Sequence, residues 1–416
     1  MSIKRIGYAC LNLDIDGNYK TCRKKNLSKE NIDNLVKNNL SVLKEMAIYN
    51  KKNNIKLYRI SSDLVPFGSL ILEDYCVIDA FQEELDEIKD IFEKTKQRFS
   101  MHPGQYTVIN SPREEVVKNS VDDLIYHYNI LKALGGDSKN KIVLHIGGRY
   151  DDKEKSIERF IENYNKLPEY LKDVLVIEND HSIYNIEDLL YISKKTNAPV
   201  IFDYFHHIIN RPVEDKGIDY YIEKVEKTWL DKDGRMILHY SQQGRDKKIG
   251  SHSDTIYLDE FFNFSKEIRQ DYDLMLEVKD KNRSAIKIEN ILNTSKKNLE
   301  KEWARYKYLI LSKSQNIYKE IRQYLKEEKV EGKIFYKYIE EAMSLEENKG
   351  EVVNSYTHMW GYFKDKVDKT EREKFEKLID DYRSDKIEKE KILKHFTKLL
   401  NKYPNNYLED SYILRF

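Results

Sequence analysis

With 416 residues, 40% of them hydrophobic, the chain is long enough to bury a barrel-sized core of about 250 residues and to carry a further domain. Lys plus Arg and Asp plus Glu number 72 each, so global charge neither requires nor forbids a polyanionic partner, and any basic surface must be local. Three cysteines (Cys10, Cys22, Cys76) without a CxxC, an opening "MSIKRIGYAC" with no apolar leader core, and no apolar run near the roughly 18 residues of a membrane span argue against a disulfide scaffold and a membrane protein. A cytoplasmic protein is the expectation.

Taken in chain order, short apolar or β-branched runs recur as "RIGYACLN" from Arg5, "IKLYRISSD" from Ile55, "RFSMHPGQY" from Arg98 and "KIVLHIGG" from Lys141. They continue as "VLVIEND" from Val174, "PVIFDYFHH" from Pro199, "RMILHYSQQ" from Arg235 and "LMLEVKD" from Leu274. Between them lie amphipathic stretches such as "KENIDNLVKNNLSVLKEMAIYNKK" and "AFQEELDEIKDIFEKTKQ", with apolar residues at helical spacing. Eight strands alternating with helices predict a parallel sheet closed into a (β/α)8 TIM barrel over residues 1–290. No glycine-rich phosphate loop follows the first strand, which disfavours a nucleotide-binding open sheet.

From the third strand onward, every run ends in a residue able to bind a metal: His102, His145, Glu178, Asp203 with His206, His239, then Glu277. His252, in "GSHSD" after strand seven, points to the same end. A barrel brings the carboxyl ends of its strands to one face, so residues remote in sequence become neighbours there. Each residue alone has a structural explanation, a rim ion pair or a helix cap; five of the ten histidines falling at such places argues for a site. With no sulfur donor in the set, imidazole and carboxylate suit manganese, zinc or iron.

The motifs "GYACLN", "YRISSDLVPF", "MHPGQY", "LHIGG", "IEND", "FDYFHH", "LHYSQ", "GSHSD" and "LEVKDK" resemble, in order, those of the UV damage endonuclease family. The resemblance runs from residue 5 to about residue 283. It implies a TIM barrel related to endonuclease IV that holds two or three divalent ions, manganese first and zinc second, and cuts damaged double-stranded DNA immediately 5′ of a lesion. By the same resemblance His102, His145 and Glu178 hold one ion, and Glu178 bridges to a second held by Asp203, His239 and Glu277. His206 with His252, and Asp254 as a further candidate, hold a third. Glu178, Glu277 and His239 are then the catalytic set. Gln105 and Tyr106 match a pair that wedges into the duplex, and Tyr8 and Asn12 match positions near the lesion. Two positions depart from the family pattern: Leu70 stands where relatives have a histidine, and Ile237 where some have a modified lysine.

From about Lys297 to the end the chain is rich in Lys, Glu and Tyr at helical spacing, which predicts an all-α domain over 297–416. "YTHMWGYFKD" and "YLEDSYILRF" are similar to the YbgA-like domain. The competing readings are a metal-dependent sugar isomerase or epimerase, an abasic-site endonuclease of the endonuclease IV type, and a metal-stabilised DNA-binding module without catalysis. A monomer is expected.

Overall fold

A computed structural model describes residues 2–71, 76–150 and 152–415, and in it eight parallel strands close into a barrel. They are β1 (Ile3–Ala9), β2 (Leu57–Ile60), β3 (Arg98–Met101), β4 (Lys141–His145), β5 (Leu175–Glu178), β6 (Val200–Asp203), β7 (Ile237–Tyr240) and β8 (Tyr272–Leu276). Each pairs with its sequence neighbour, and β8 returns to β1 with Gly7 opposite Met275. All eight predicted runs are strands, and the helix Lys29–Lys52 coincides with the first predicted amphipathic stretch. Strands buried on both faces have no reason to alternate, which is why they read as continuous apolar runs.

An apolar layer of Ala9, Leu57, Val143, Val176, Ile201, Ile237 and Met275 fills the barrel interior. Ile237 belongs to this layer and offers no donor to the site above it. The run of β4 stops where the two glycines begin: Gly147 has φ +113, and a Cβ there would lie 2.4 Å from Asn110 Oδ1. Asn110 Nδ2 donates to the Gly148 carbonyl (2.7 Å), which fixes the turn just beyond His145.

The amino ends of the strands carry buried charge. Asp273 is inaccessible and receives Arg5 and Arg98 at 2.9 Å each, with Arg235 at 3.5 Å. Arg98 also donates to the carbonyls of Lys139, Arg235 and Asp233. Lys141 is fully buried and gives its ammonium to Asp233 (2.6 Å) and the Asp173 carbonyl (2.8 Å).

The chain divides into two compact units, residues 1–286 and 287–416. The second is helical, with helices Lys296–Leu311, Gln315–Tyr324, Gly332–Ser344, Lys349–Trp360, Lys369–Arg383 and Lys389–Lys402. Its interior contains a buried ion pair, Glu302 with Arg305 (2.8 Å), and the Tyr336 and Tyr412 hydroxyls reach the same carboxylate. No helix among the described residues is long and apolar enough to cross a membrane.

Candidate metal centre

The site is built where the strands end. β5 closes on Glu178, which is 2% exposed, and its carboxylate is common to two compact donor groups. The first joins His102, His145 and Glu178; the second joins Glu178, Asp203, His239 and Glu277, with one ligand atom from each residue within 4.8 Å of the others. Backbone carbonyls orient the imidazoles of the first group. His102 Nδ1–H donates to Pro103 (2.9 Å), which leaves Nε2 3.3 Å from Glu178 Oε2. His145 Nδ1–H reaches the Glu178 carbonyl (3.4 Å), with Nε2 3.5 Å from Glu178 Oε2. A hydrogen bond on one ring nitrogen selects the tautomer that exposes the other as a donor to metal.

In the second group His239 Nδ1 faces both the Glu178 carboxylate and Glu277 Oε1, the latter at 3.2 Å. Asp203 caps the short helix Tyr204–Ile209, its Oδ1 accepting from the His206 amide (2.7 Å). Asp203 Oδ2 and His239 Nε2 are buried and have no hydrogen-bond partner among the described residues. Leaving such atoms unpaired costs about 1–3 kcal/mol each.

The electrostatics point the same way. Burial, with Glu178 and Glu277 nearby, pushes the Asp203 carboxyl up. Burial alone would also raise Glu178 and Glu277; His239 and His102 hold the first well below the usual carboxylate range, and Arg59 with His239 holds the second down. Burial pushes His145 down to about 4, so it is a neutral ligand at ordinary pH. Against the cost of burial, Asp203 draws His206 up to about 9. Three carboxylates and neutral imidazole in a water-poor pocket with two orphaned donor atoms fit divalent cations, which would satisfy those atoms and offset the mutual repulsion.

His206 and His252 come to the same end but enter neither compact group. His206 Nδ1–H donates to the Asn179 carbonyl (2.9 Å), and its ring lies 6.0 Å from that of His145. His252 is hydrogen-bonded to Ser241 Oγ (2.9 Å) and sits edge-on to Phe205. Asp254 is taken up by Lys247 (2.5 Å) and Lys279 (3.7 Å), which makes it an ion-paired surface carboxylate here. The Leu70 side chain lies outside the described residues.

The two residue pairs expected at DNA differ sharply. Tyr106 is 84% exposed, at the tip of a turn closed by Thr107 N donating to the Gly104 carbonyl (3.0 Å). Thr107 Oγ1 on Asp123 (2.6 Å) and Val108 N on Ser120 (2.9 Å) tie this turn to the helix Glu114–Ala133. Gln105 and Tyr106 border a cavity of about 780 Å³ that also meets Arg113, Tyr126 and Tyr150. Tyr8, by contrast, is inaccessible: its hydroxyl donates to Asn50 Oδ1 (2.8 Å) and accepts from Asn12 Nδ2 (2.8 Å), and Asn12 is itself buried. Tyr8, on β1, and Asn12, at the start of the loop that follows it, are thus both enclosed in this structure. Ala9 faces the barrel interior, so its neighbour must face the surrounding helices.

Sequence reasoning missed Arg59, on β2, whose guanidinium pairs with Glu277. It also passed over Asn179, which accepts from the Asp203 amide (2.9 Å) and donates to its carbonyl (3.1 Å), and His181, whose ring lies 5.6 Å from His206. Asn179 stands inside the quoted "IEND" and His181 directly follows that motif, so position after a strand end was the available signal.

Residues 4–302 match the family described as UV-endonuclease UvdE, and residues 307–416 match a protein of unknown function, DUF1722. A UV DNA damage endonuclease of Clostridium perfringens (strain 13 / Type A) is 38% identical over 408 residues, 96% of each chain. One from Bacillus mycoides (strain KBAB4) is 31% identical over 268 residues, 64% of this chain and 84% of that one. The crystal structure of SacUVDE superposes with a TM-score of 0.64 at 38% identity, covering 70% of this chain and 99% of that one.

Proposed function

Because the chain belongs to the UV-endonuclease UvdE family, we propose that it is a DNA-repair endonuclease that hydrolyses the phosphodiester immediately 5′ of UV photoproducts in duplex DNA. The observation that carries this reading is the shared carboxylate of Glu178, flanked by a histidine-rich group on one side and an acidic group on the other. His102, His145 and Glu178 would hold one divalent ion and Glu178, Asp203, His239 and Glu277 a second, with manganese the expected metal; a third would fall to His206, beside the His145 ring, and His252, which interacts with His206 and Glu277. When bound, such ions supply water activation and neutralisation of phosphate charge.

The chain's own residues do the rest. Arg59 holds Glu277 ionised and fixes its carboxylate. Asn179 fixes the Asp203 backbone and the His206 ring, so the donors are aimed before any ligand arrives. Tyr106 offers an exposed ring to stack in a gap left by damaged bases, and Gln105 offers an amide to the bases opposite. Distorted dinucleotides unstack at lower cost than normal ones, so selection rests on deformability. That loop favours duplex probing over a sugar isomerase, whose small closed pocket has no use for a protruding ring. Tyr8 and Asn12 support the loop after β1 from within. We assign this chemistry to residues 1–290 and a separate helical domain to residues 297–416.

The test is incubation of the protein with irradiated and undamaged duplexes in manganese, with the products mapped. A nick 5′ of the photoproduct leaving a 3′-hydroxyl and a 5′-phosphate supports the reading; a product containing an altered sugar without strand cleavage, or no cleavage of irradiated DNA, contradicts it.

A further inference from the structure

The helical unit of residues 287–416 carries a cluster that none of the barrel chemistry uses. On the helix Lys296–Leu311 stand Trp303, Lys307 and Tyr308; Tyr318 and Arg322 lie on the next helix, Gln315–Tyr324. Tyr362 and Tyr407 join them from later segments. Trp303 and Tyr318 are in ring contact at 5.3 Å, and Tyr362 and Tyr407 are stacked at 5.9 Å with 16° between planes. Tyr308 binds the group together beneath the surface, its hydroxyl donating to that of Tyr362 (3.1 Å). The ammonium of Lys307 lies over Tyr308 (4.9 Å) and Tyr407 (5.6 Å), and the guanidinium of Arg322 over Tyr318 (5.7 Å).

The cluster joins these rings to cations that no carboxylate among the described residues neutralises. Elsewhere in the same unit a buried cation has its carboxylate: Arg305 has Glu302 and Lys287 has Glu340. Among the described residues neither Lys307 nor Arg322 has an ion pair, and Lys307 is pushed down by its burial and by Arg322 with no acid to offset them. In a chain of formal net charge zero, two uncompensated cations set among accessible aromatic rings form a local anion-seeking surface.

We propose that Trp303, Lys307, Tyr318, Arg322, Tyr362 and Tyr407 form a binding surface for single-stranded polynucleotide. Rings stack on unpaired bases whatever their sequence, while cations between the rings take the phosphates. A duplex hides its base faces and would engage only the charges. DNA and RNA strands share this chemistry. The inference rests on the helical unit alone and is independent of the nuclease reading.

The experiment uses full-length protein in chelator, to silence incision, and follows the fluorescence anisotropy of labelled fifteen-nucleotide oligothymidylate, oligouridylate and an undamaged duplex. Lys307→Glu with Arg322→Glu is expected to weaken single-strand binding about tenfold or more. It should also flatten the dependence of log affinity on log salt by about 1.4, two phosphates at about 0.7 each. Duplex affinity, which draws on the charges but not on the rings, should fall less than single-strand affinity, and nicking of irradiated DNA should stay near wild type. Arg322→Glu alone, at an exposed position, guards against misfolding and should show about half the change in slope. Tighter binding of oligouridylate assigns the surface to RNA and of oligothymidylate to DNA; either supports it. Unchanged single-strand affinity in variants that melt like the wild type, or an equal loss for duplex and single strands, would overturn it.

Discussion

At the amino ends of the barrel strands, Asp273 receives three arginines and Lys141 a buried aspartate, and none of Arg98, Lys141, Asp233 and Asp273 has a buried side-chain atom lacking a hydrogen bond among the described residues. At the carboxyl ends, comparable burial surrounds Glu178, Asp203 and His239, with Glu277 partly exposed beside them, yet Asp203 Oδ2 and His239 Nε2 have no such partner. One end neutralises its charge with the protein's own cations and carbonyls. The other leaves donors converging on space. Buried charge by itself thus says little about function; what marks the site is that its unpaired atoms belong to metal-ligating side chains that converge, whereas Tyr272 Oη and Gln97 Oε1 at the other end are unpaired singly.

Variants at each end can break this contrast. Asp273→Asn should cost about 3–5 kcal/mol of stability, measured by urea unfolding, because three guanidiniums lose their common counter-charge while the shape is kept. Incision per folded molecule should remain near wild type; a matching loss of activity would mean that the ends are coupled. Glu178→Gln should do the reverse, lowering nicking of irradiated plasmid about a hundred- to a thousandfold while the melting temperature of the metal-free protein holds or rises. Near wild-type nicking by this variant would remove Glu178 from the chemistry.

Metal removal sharpens the contrast further. Manganese at a hundredfold its dissociation constant should stabilise the chelator-treated protein by about 2.7 kcal/mol. Asp273→Asn should gain the same increment and Glu178→Gln much less, as read by thermal melting with and without the ion. The smallest effect should come from Gln105→Ala with Tyr106→Ala. Loss of one stacking contact should reduce the preference for damaged over intact duplex about tenfold, with metal content unchanged. Competition between irradiated and intact duplexes measures it.

The strands and the His, Asp and Glu residues that end them were legible because a polar residue closing an uninterrupted apolar run is visible without three-dimensional knowledge, as at His145 and Glu178. Arg59 was not, since it reads as an ordinary polar residue in "YRISSD", and only barrel closure brings it to Glu277, 218 positions away. The inward or outward face of Tyr8 was equally hidden: β1 is buried on both sides, so no alternation marks which neighbour points to the core. The three arginines on Asp273 come from β1, β3 and the segment before β7, and no local pattern connects them. The resemblance offered Asp254 as a further ligand, and no local pattern shows that Lys247, seven positions earlier, folds back onto it.

The most direct test of the open end is a count of the metal it holds. The protein is loaded with manganese, freed of unbound ion by gel filtration and assayed by elemental mass spectrometry beside an Asp203→Asn, His239→Gln double variant. Two or more equivalents in the wild type, with at least one lost in the variant, is the predicted result. One equivalent or none in the wild type, or a variant that retains them all, would contradict the assignment of two donor groups sharing Glu178.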